Sequence, residues 1–239
     1  MQLPKLIGHR GAAAYAPENT LASFDKALSL GCHFIEFDVM CSADGEPFIF
    51  HDDSLKRTTN GKGDLGLAKA EYLQTLDAGA WFSKHYKNEK IPHFKDALTW
   101  LVQNQVHANI EIKSYPNSIQ QTTTAVLSHI QRYWPTEAAL PLVSSFNLEA
   151  LTLCRNLAPE MPLGLLIHEW DDDYLQKAHQ LQCYSIHFNR KILTAARVKV
   201  AKDQGYMVCA YTVNRKRLAN KLYHWGVDAI FSDYPDLLI

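Results

Sequence analysis

The sequence predicts a closed α/β barrel built from eight strand–helix repeats. Three observations carry that expectation. Eight short β-rich runs recur along the 239 residues, and most precede a segment with helical spacing of apolar residues. The length lies within the 200–250 residues that such barrels commonly occupy as one domain. No GxGxxG follows the first run, which removes the commonest reason to prefer the rival open, doubly wound sheet.

The β-rich runs are residues 5–9, 34–40, 109–113, 141–146, 163–168, 184–189, 207–213 and 228–232. Between them, Leu21, Phe24, Ala27 and Leu28 form a helical stripe that Gly31 closes in a C-cap position. Ala97, Leu98, Leu101 and Val102 form a second. Leu148, Leu151 and Leu157 form a third, after Asn147 as N-cap. Tyr174, Leu175, Ala178 and Leu181 follow the acidic turn Asp171-Asp172-Asp173, which suits a helix dipole. One run, residues 46–51, breaks the alternation. Too few residues separate it from Met40 for a parallel crossover, so it returns antiparallel as a hairpin turning at Asp44-Gly45. About 40 polar, glycine-marked residues then pass without a strand–helix unit, a length usually functional or forming a subdomain. The chain reads as one domain, 1–239, with an excursion at about 42–92.

Composition sets broad limits. Hydrophobic content is 47%, charged content 21% and net charge −1, so no global field draws the protein to nucleic acid or to an anionic membrane. The first five residues do not read as a signal peptide, and no run reaches the roughly 18 apolar residues of a spanning helix. The five cysteines are scattered, odd in number and free of CxxC spacing, as expected for small core residues in a reducing compartment, the cytoplasm.

Within the second run, alternation puts Ile35, Phe37 and Val39 on one face and Glu36 and Asp38 on the other. In a barrel the apolar set lies under the helices and the acids point inward. The next barrel run repeats this, with Ile110 and Ile112 outward and Glu111 and Lys113 inward. Three converging carboxylates need a cation or raised pKa values. Oxygen donors of this kind suit Mg²⁺ or Ca²⁺. The bland alternative is a metal-free charge network with Arg10 and Lys113. His9 ends the first run beside Arg10, between two glycines, and His51 ends the hairpin run. Such a pair suits general acid–base chemistry. Arg10 presents a fork of donors matched to phosphate oxygens, and Lys113 adds a point charge. Together these groups suit hydrolysis of a phosphate ester. His168 and His187 are weaker candidates on the same logic.

Taken in order, GHRGAAAYAPENT, IEFDV, DGEPFIFHDD, IEIK, SSF, YTVN and FSDYP resemble the signature segments of the glycerophosphodiester phosphodiesterases, over residues 6–235. The resemblance is greatest to the short cytosolic bacterial enzymes. It implies a TIM (β/α)8 barrel with a small insertion after strand 2. It also implies Glu36, Asp38 and Glu111 as ligands of one divalent cation, Mg²⁺ or Ca²⁺. His9 and His51 become the general acid and base, and Arg10 and Lys113 the phosphate contacts. The implied reaction cleaves a small glycerophosphodiester to glycerol 3-phosphate and an alcohol. Neither a nucleic-acid partner nor stable membrane association is expected, and the oligomeric state stays open. Tyr211 stands where the family commonly has Trp, and Cys41 where it commonly has Thr, which bears on substrate shape. Two other readings use the same barrel: a phospholipase D- or C-like phosphodiesterase acting at membranes, for which Trp81-Phe82 is the one hint, and a barrel that binds glycerophosphodiesters without cleaving them.

Overall fold

Strand β1 (Leu6–His9) pairs in parallel with two strands from opposite ends of the chain, β2 (Phe34–Cys41) and β9 (Ala229–Ser232). That double pairing closes the sheet. The structure is a computed structural model that describes residues 2–113, 115–116 and 118–238. Between β2 and β9 the ring continues through β4 (His107–Ile112), β5 (Leu142–Ser145), β6 (Leu163–Ile167), β7 (Ser185–Asn189) and β8 (Met207–Tyr211), all parallel. The architecture is an eight-stranded TIM barrel, as expected from the alternation of runs. The short strand β3 (Pro47–Ile49) is antiparallel to β2 and lies outside the ring.

The helices cover the ring as the stripes require. Helix α1 (Leu21–Ser29) is capped by Thr20, and Gly31 follows it at φ +79°, a left-handed value that glycine adopts without strain. Phe24 packs 5.3 Å from Phe37, and Phe37 lies 6.2 Å from Phe94, the first residue of α3 (Phe94–Asn104). The outward face of β2 is thereby sealed beneath two helices, and Glu36 and Asp38 are left to face inward. Helix α4 (Ile119–Tyr133) follows β4, and α5 (Leu148–Leu157) starts at Asn147, whose side chain accepts from Ala150 N. The α5 stripe differs from expectation. Leu148 and Leu157 are exposed, because the face that meets the barrel is Ala150, Leu151 and Cys154. Helices α6 (Tyr174–Gln180), α7 (Ala195–Asp203) and α8 (Lys216–His224) complete the layer.

The hairpin turns where alternation failed, with Gly45 at φ +88°. The excursion that follows has its own apolar cluster of Met40, Phe48, Phe50, Leu55, Leu65 and Leu73, with α2 (Ala70–Thr75) on its flank. Each buried Leu or Phe there contributes about 1.5–3 kcal/mol. That cluster anchors the segment carrying His51 against the end of β2, and Phe50 N donates to Asp38 O at 3.0 Å. Trp81 and Phe82 stack edge-on, with ring centres 5.7 Å apart. Among the described residues no helix is long and apolar enough to cross a membrane. All five cysteines are buried and unpaired.

Candidate active site

The "GHRG" segment sits where β1 ends. Gly8 is obligatory there, because a Cβ would lie 2.6 Å from Gly11 O. Arg10 takes a left-handed conformation, φ +51°, and Gly11 follows at φ +83°. The chain thus turns sharply over the barrel mouth. Ser23 of α1 holds the turn: it donates to Arg10 O at 2.8 Å and accepts from Ala12 N at 2.8 Å. Two adjacent polar side chains are thereby aimed at the cavity instead of solvent.

Strand register does the rest. Glu36 stands opposite His9 on one side and Asn109 on the other, and Asp38 stands opposite Glu111. Neighbouring strands run about 4.8 Å apart. One carboxylate oxygen from each of Glu36, Asp38 and Glu111 therefore falls within 4.8 Å of the others. Lys113 lies just past the end of β4, not within it. Its Nζ donates to Glu111 Oε1 at 2.8 Å and lies 3.8 Å from Asp38 Oδ1.

Burial and like charge set the ionisation. Glu36 is pushed well above the usual carboxylate range by burial, then by Asp38 and Glu111, although Arg10 N donates to its Oε2 at 3.0 Å. Glu111 is raised to about 7 by burial and Asp38, against the pull of Lys113. Asp38 goes the other way. Burial would raise it, but Arg10 and Lys113 hold it at about 2. Asn19, itself at φ +58°, donates to Asp38 Oδ2 at 2.8 Å. Burial would lower Arg10, but Asp38, Glu18 and Glu36 hold its guanidinium above the ordinary value. Two carboxyls with raised pKa values beside a third held low form an oxygen-donor set suited to a hard dication. The residues fit the cation that the sequence implied.

Both expected histidines reach the mouth, and each has an acidic partner. His9 Nδ1 lies 2.6 Å from Asp233 Oδ1, and His9 Nε2 lies 4.0 Å from Glu36 Oε2. His51 Nδ1 lies 2.6 Å from Asp52 Oδ1. Burial lowers the His51 pKa, partly offset by Asp38. The Asp52 carboxyl is held below its ordinary range, first by its hydrogen bonds with Arg57 and against some burial. Arg57 donates to Asp52 at 2.5 and 2.9 Å and to Glu18 at 2.7 and 2.8 Å. Glu18 also accepts from Arg10 at 2.5 Å. A single network thus joins the supports of His51 to those of Arg10.

His9, Arg10, Glu36, His51, Glu111 and Lys113 line one cavity of about 250 Å³. Arg10 Nε lies 3.3 Å from Asp38 Oδ2 yet has no hydrogen-bond partner among the described residues. A donor left over at such a mouth is matched to an anionic oxygen. Phe146, His168 and Tyr211 form an aromatic rim, with Phe146 centred 6.0 Å from Tyr211 and 5.8 Å from Lys113 Nζ. Sequence reasoning overlooked Asp52, Arg57 and Asp233. Asp52 sits beside His51 in "HDD", a visible signal. Asp233 lies in the segment FSDYP, but nothing local in that segment gives it a role, because only barrel closure brings it to His9. Of the weaker histidines, His168 is exposed at the rim and His187 is buried deep in the ring.

Comparison with known proteins follows the same line. The profile of the "Glycerophosphoryl diester phosphodiesterase family" matches residues 9–237. A glycerophosphodiester phosphodiesterase from Caldanaerobacter subterraneus subsp. tengcongensis is 32% identical over 238 residues, covering 98% of this chain and 96% of that protein. One from Bacillus altitudinis is 32% identical over 243 residues, with the same coverages. The solved structure of an Oleispira antarctica phosphodiesterase in complex with the product sn-glycerol-3-phosphate superposes with a TM-score of 0.95 at 38% identity, covering 98% of this chain and 94% of that one. With the barrel, its excursion and the mouth in place, the chain belongs to the glycerophosphoryl diester phosphodiesterase family.

Proposed function

We propose that this enzyme hydrolyses small glycerophosphodiesters to glycerol 3-phosphate and an alcohol, with one divalent cation and a pair of histidines. The observation that carries the reading is the convergence in one cavity of three carboxylates, two carboxylate-supported histidines and an unpartnered Arg10 donor. The Oleispira relative bound to sn-glycerol-3-phosphate supports the same substrate class.

Glu36, Asp38 and Glu111 would hold Mg²⁺ or Ca²⁺. The cation's contribution when bound is to offset negative charge on phosphoryl oxygens. Arg10, with its spare Nε donor, and Lys113 bind the phosphodiester and stabilise the charge that grows on it. Asp233 accepts from His9 Nδ1 and Asp52 from His51 Nδ1, which fixes each ring and leaves Nε2 to carry a proton. One histidine takes a proton from the nucleophile, and the other gives one to the departing alkoxide. Two nucleophiles suit this arrangement: a water, or the 2-hydroxyl of the glycerol, which gains from proximity and yields a cyclic phosphate for water to open. Trapping of a cyclic glycerophosphate in a quenched turnover distinguishes them. The five unpaired, buried cysteines support a cytoplasmic location.

The test is an assay of glycerophosphocholine and glycerophosphoethanolamine with and without chelator, with Mg²⁺ and Ca²⁺ restored in turn. Release of glycerol 3-phosphate that stops with chelator and returns with one metal is the expected result. Tight binding of either diester with no product would assign the chain to the non-cleaving reading.

A further inference from the structure

Beside the mouth lies a second cavity, of about 520 Å³, walled by Arg190, Thr212, Asn214, Arg215, Arg217 and Lys221. It sits past the C-terminal ends of β7 and β8, on the same barrel rim as the candidate active site. Thr212 lines both cavities, so the two share a wall. Arg190 Nε donates to Thr212 O at 2.7 Å and braces that wall. Asn214 donates through Nδ2 to Asp233 and accepts from Asp233 N at 3.0 Å, which ties the second cavity to the support of His9. Arg190, Arg215, Arg217 and Lys221 are exposed, and none forms an ion pair among the described residues. Other cations on this flank are answered. Lys199 and Lys202 pair with Asp203 and Asp228 at 2.7 Å, and Arg197 lies 3.8 Å over the Trp170 ring. The imbalance is visible in the sequence: residues 190–221 hold nine of the 24 lysines and arginines but one of the 25 acids.

A scattered surface cation is solvated and needs no partner. Four around one concavity are different, because they repel one another and focus their field into the space between them. Helix stability does not account for them either. Arg215, Lys216 and Arg217 stand at the start of α8, the end of a helix where positive charge is unfavourable. Guanidinium forks match phosphate oxygens, and a concave cavity of this size suits a phosphate on a small carrier better than a flat lipid surface. A cationic alcohol such as choline would be repelled. We infer that this cavity is a second anion subsite, which selects glycerophosphodiesters whose alcohol half carries a phosphate of its own. The diester to be cut sits in the mouth, and the second phosphate reaches past Thr212 to Arg215, Arg217 and Lys221. The inference rests on the function proposed above and names a substrate class for it. The reaction is unchanged: water is consumed, one P–O bond breaks, and the departing alkoxide, here a phosphorylated one, takes up a proton.

The probes are glycerophosphoglycerol and its terminal phosphate monoester, which share the bond to be cut and differ by one phosphate. Calorimetry with the metal-loaded enzyme uses their phosphonate analogues, in which carbon replaces the departing oxygen, so affinity is read without turnover. The phosphorylated analogue should bind about tenfold or more tightly, the lower end of what a cleft of one sign supplies. Salt at about 0.5 M should shrink that advantage to about twofold, since exposed charges are screened. A triple variant, Arg215→Gln with Arg217→Gln and Lys221→Gln, should erase it and leave glycerophosphocholine turnover unchanged. Lys87→Gln with Lys95→Gln and Arg132→Gln removes the same charge from exposed positions outside the cavity and should preserve it. Equal affinities in the unmutated enzyme, a preference that survives the first triple, or one that is lost in both triples overturns the inference. Should the first triple fail to fold, Arg217→Gln alone decides, with a loss of about threefold expected and no loss overturning the subsite. Binding to phosphatidylglycerol vesicles that the first triple abolishes, with no preference between the analogues, would give this face to a membrane and overturn the inference. Turnover of the two diesters is assayed on the same preparation. Release of glycerol 3-phosphate without the affinity preference sinks the subsite and leaves the reaction standing. The preference without release rejects the reaction and keeps the subsite.

Discussion

His9 Nδ1 and Asp233 Oδ1 lie 2.6 Å apart, although 224 residues separate them in the chain. Asp233 also accepts from Asn214 Nδ2 at 2.5 Å, so its carboxylate is held from both sides. Burial would raise its pKa, but the hydrogen bond to His9 overcomes this and keeps it ionised. In Asp233→Asn the amide can present the wrong atom to Nδ1 and favour the other tautomer. The expected loss in kcat is about 10²–10⁴-fold, the range for a misplaced acid–base group, with KM little changed. Steady-state kinetics on glycerophosphocholine checks this, and an unchanged kcat would remove Asp233 from the support of His9.

Glu111 and Glu36 hold protons to unusually high pH in the cation-free site. A metal must displace those protons, so affinity falls as pH drops through about 7, by up to tenfold per unit for each proton released. Titrating Mg²⁺ or Ca²⁺ across that window measures the slope. Glu111→Gln should flatten it and weaken binding together, whereas a flat profile in the unmutated enzyme contradicts the assignment.

Arg57 is nearly half exposed and makes four hydrogen bonds, two each to Asp52 and Glu18. As a surface ion pair it adds little to stability, within about 1 kcal/mol. Its effect on turnover should be larger. Arg57→Ala is expected to lower kcat by about 10–100-fold through loosening of His51 and Arg10. Arg57→Lys should rescue only part, since an ammonium cannot fork between two carboxylates. Full activity in Arg57→Ala would leave the network without a role.

His187 gives stability a pH signature. Its pKa falls from an ordinary 6.5 to about 3 in the fold, so between those values the unfolded chain binds more protons than the native one. The stabilisation is complete above about 6.5 and is lost as pH falls toward 3, with a slope of up to about 1.4 kcal/mol per unit. Urea denaturation through this window should show a shallower slope in His187→Gln than in the unmutated protein.

Leu55 is fully buried in the cluster beneath the excursion. Leu55→Ala should destabilise the protein by about 2–5 kcal/mol. Because this cluster holds His51 and Asp52 at the mouth, activity should fall at temperatures where the protein is still folded. Thermal melts compared with activity–temperature curves test this; coincident losses would deny the segment a separate effect on the site.

Much of this was legible along the chain because the signals are local. Alternation in "IEFDV" and "IEIK" aims the acids inward, and parallel register makes Asp38 and Glu111 neighbours. The hairpin followed from a connection too short to cross over. Other features were hidden for equally physical reasons. Asp233 looks like an ordinary loop acid until the ring closes. Leu148 and Leu157 obey helical spacing, yet only one face of α5 meets the barrel. His187 looked like a weak copy of His9, because nothing in "SIHFN" tells an inward side chain at mid-barrel from one at the mouth.

The pairing of β1 with β9 also sets an order on the molecule's making. His9 is synthesised 224 residues before the carboxylate that supports it. Until then β1 has one free flank, and the acids of β2 are grouped with no sealed ring around them. The His9–Asp233 pair can therefore form only once the last strand closes the ring.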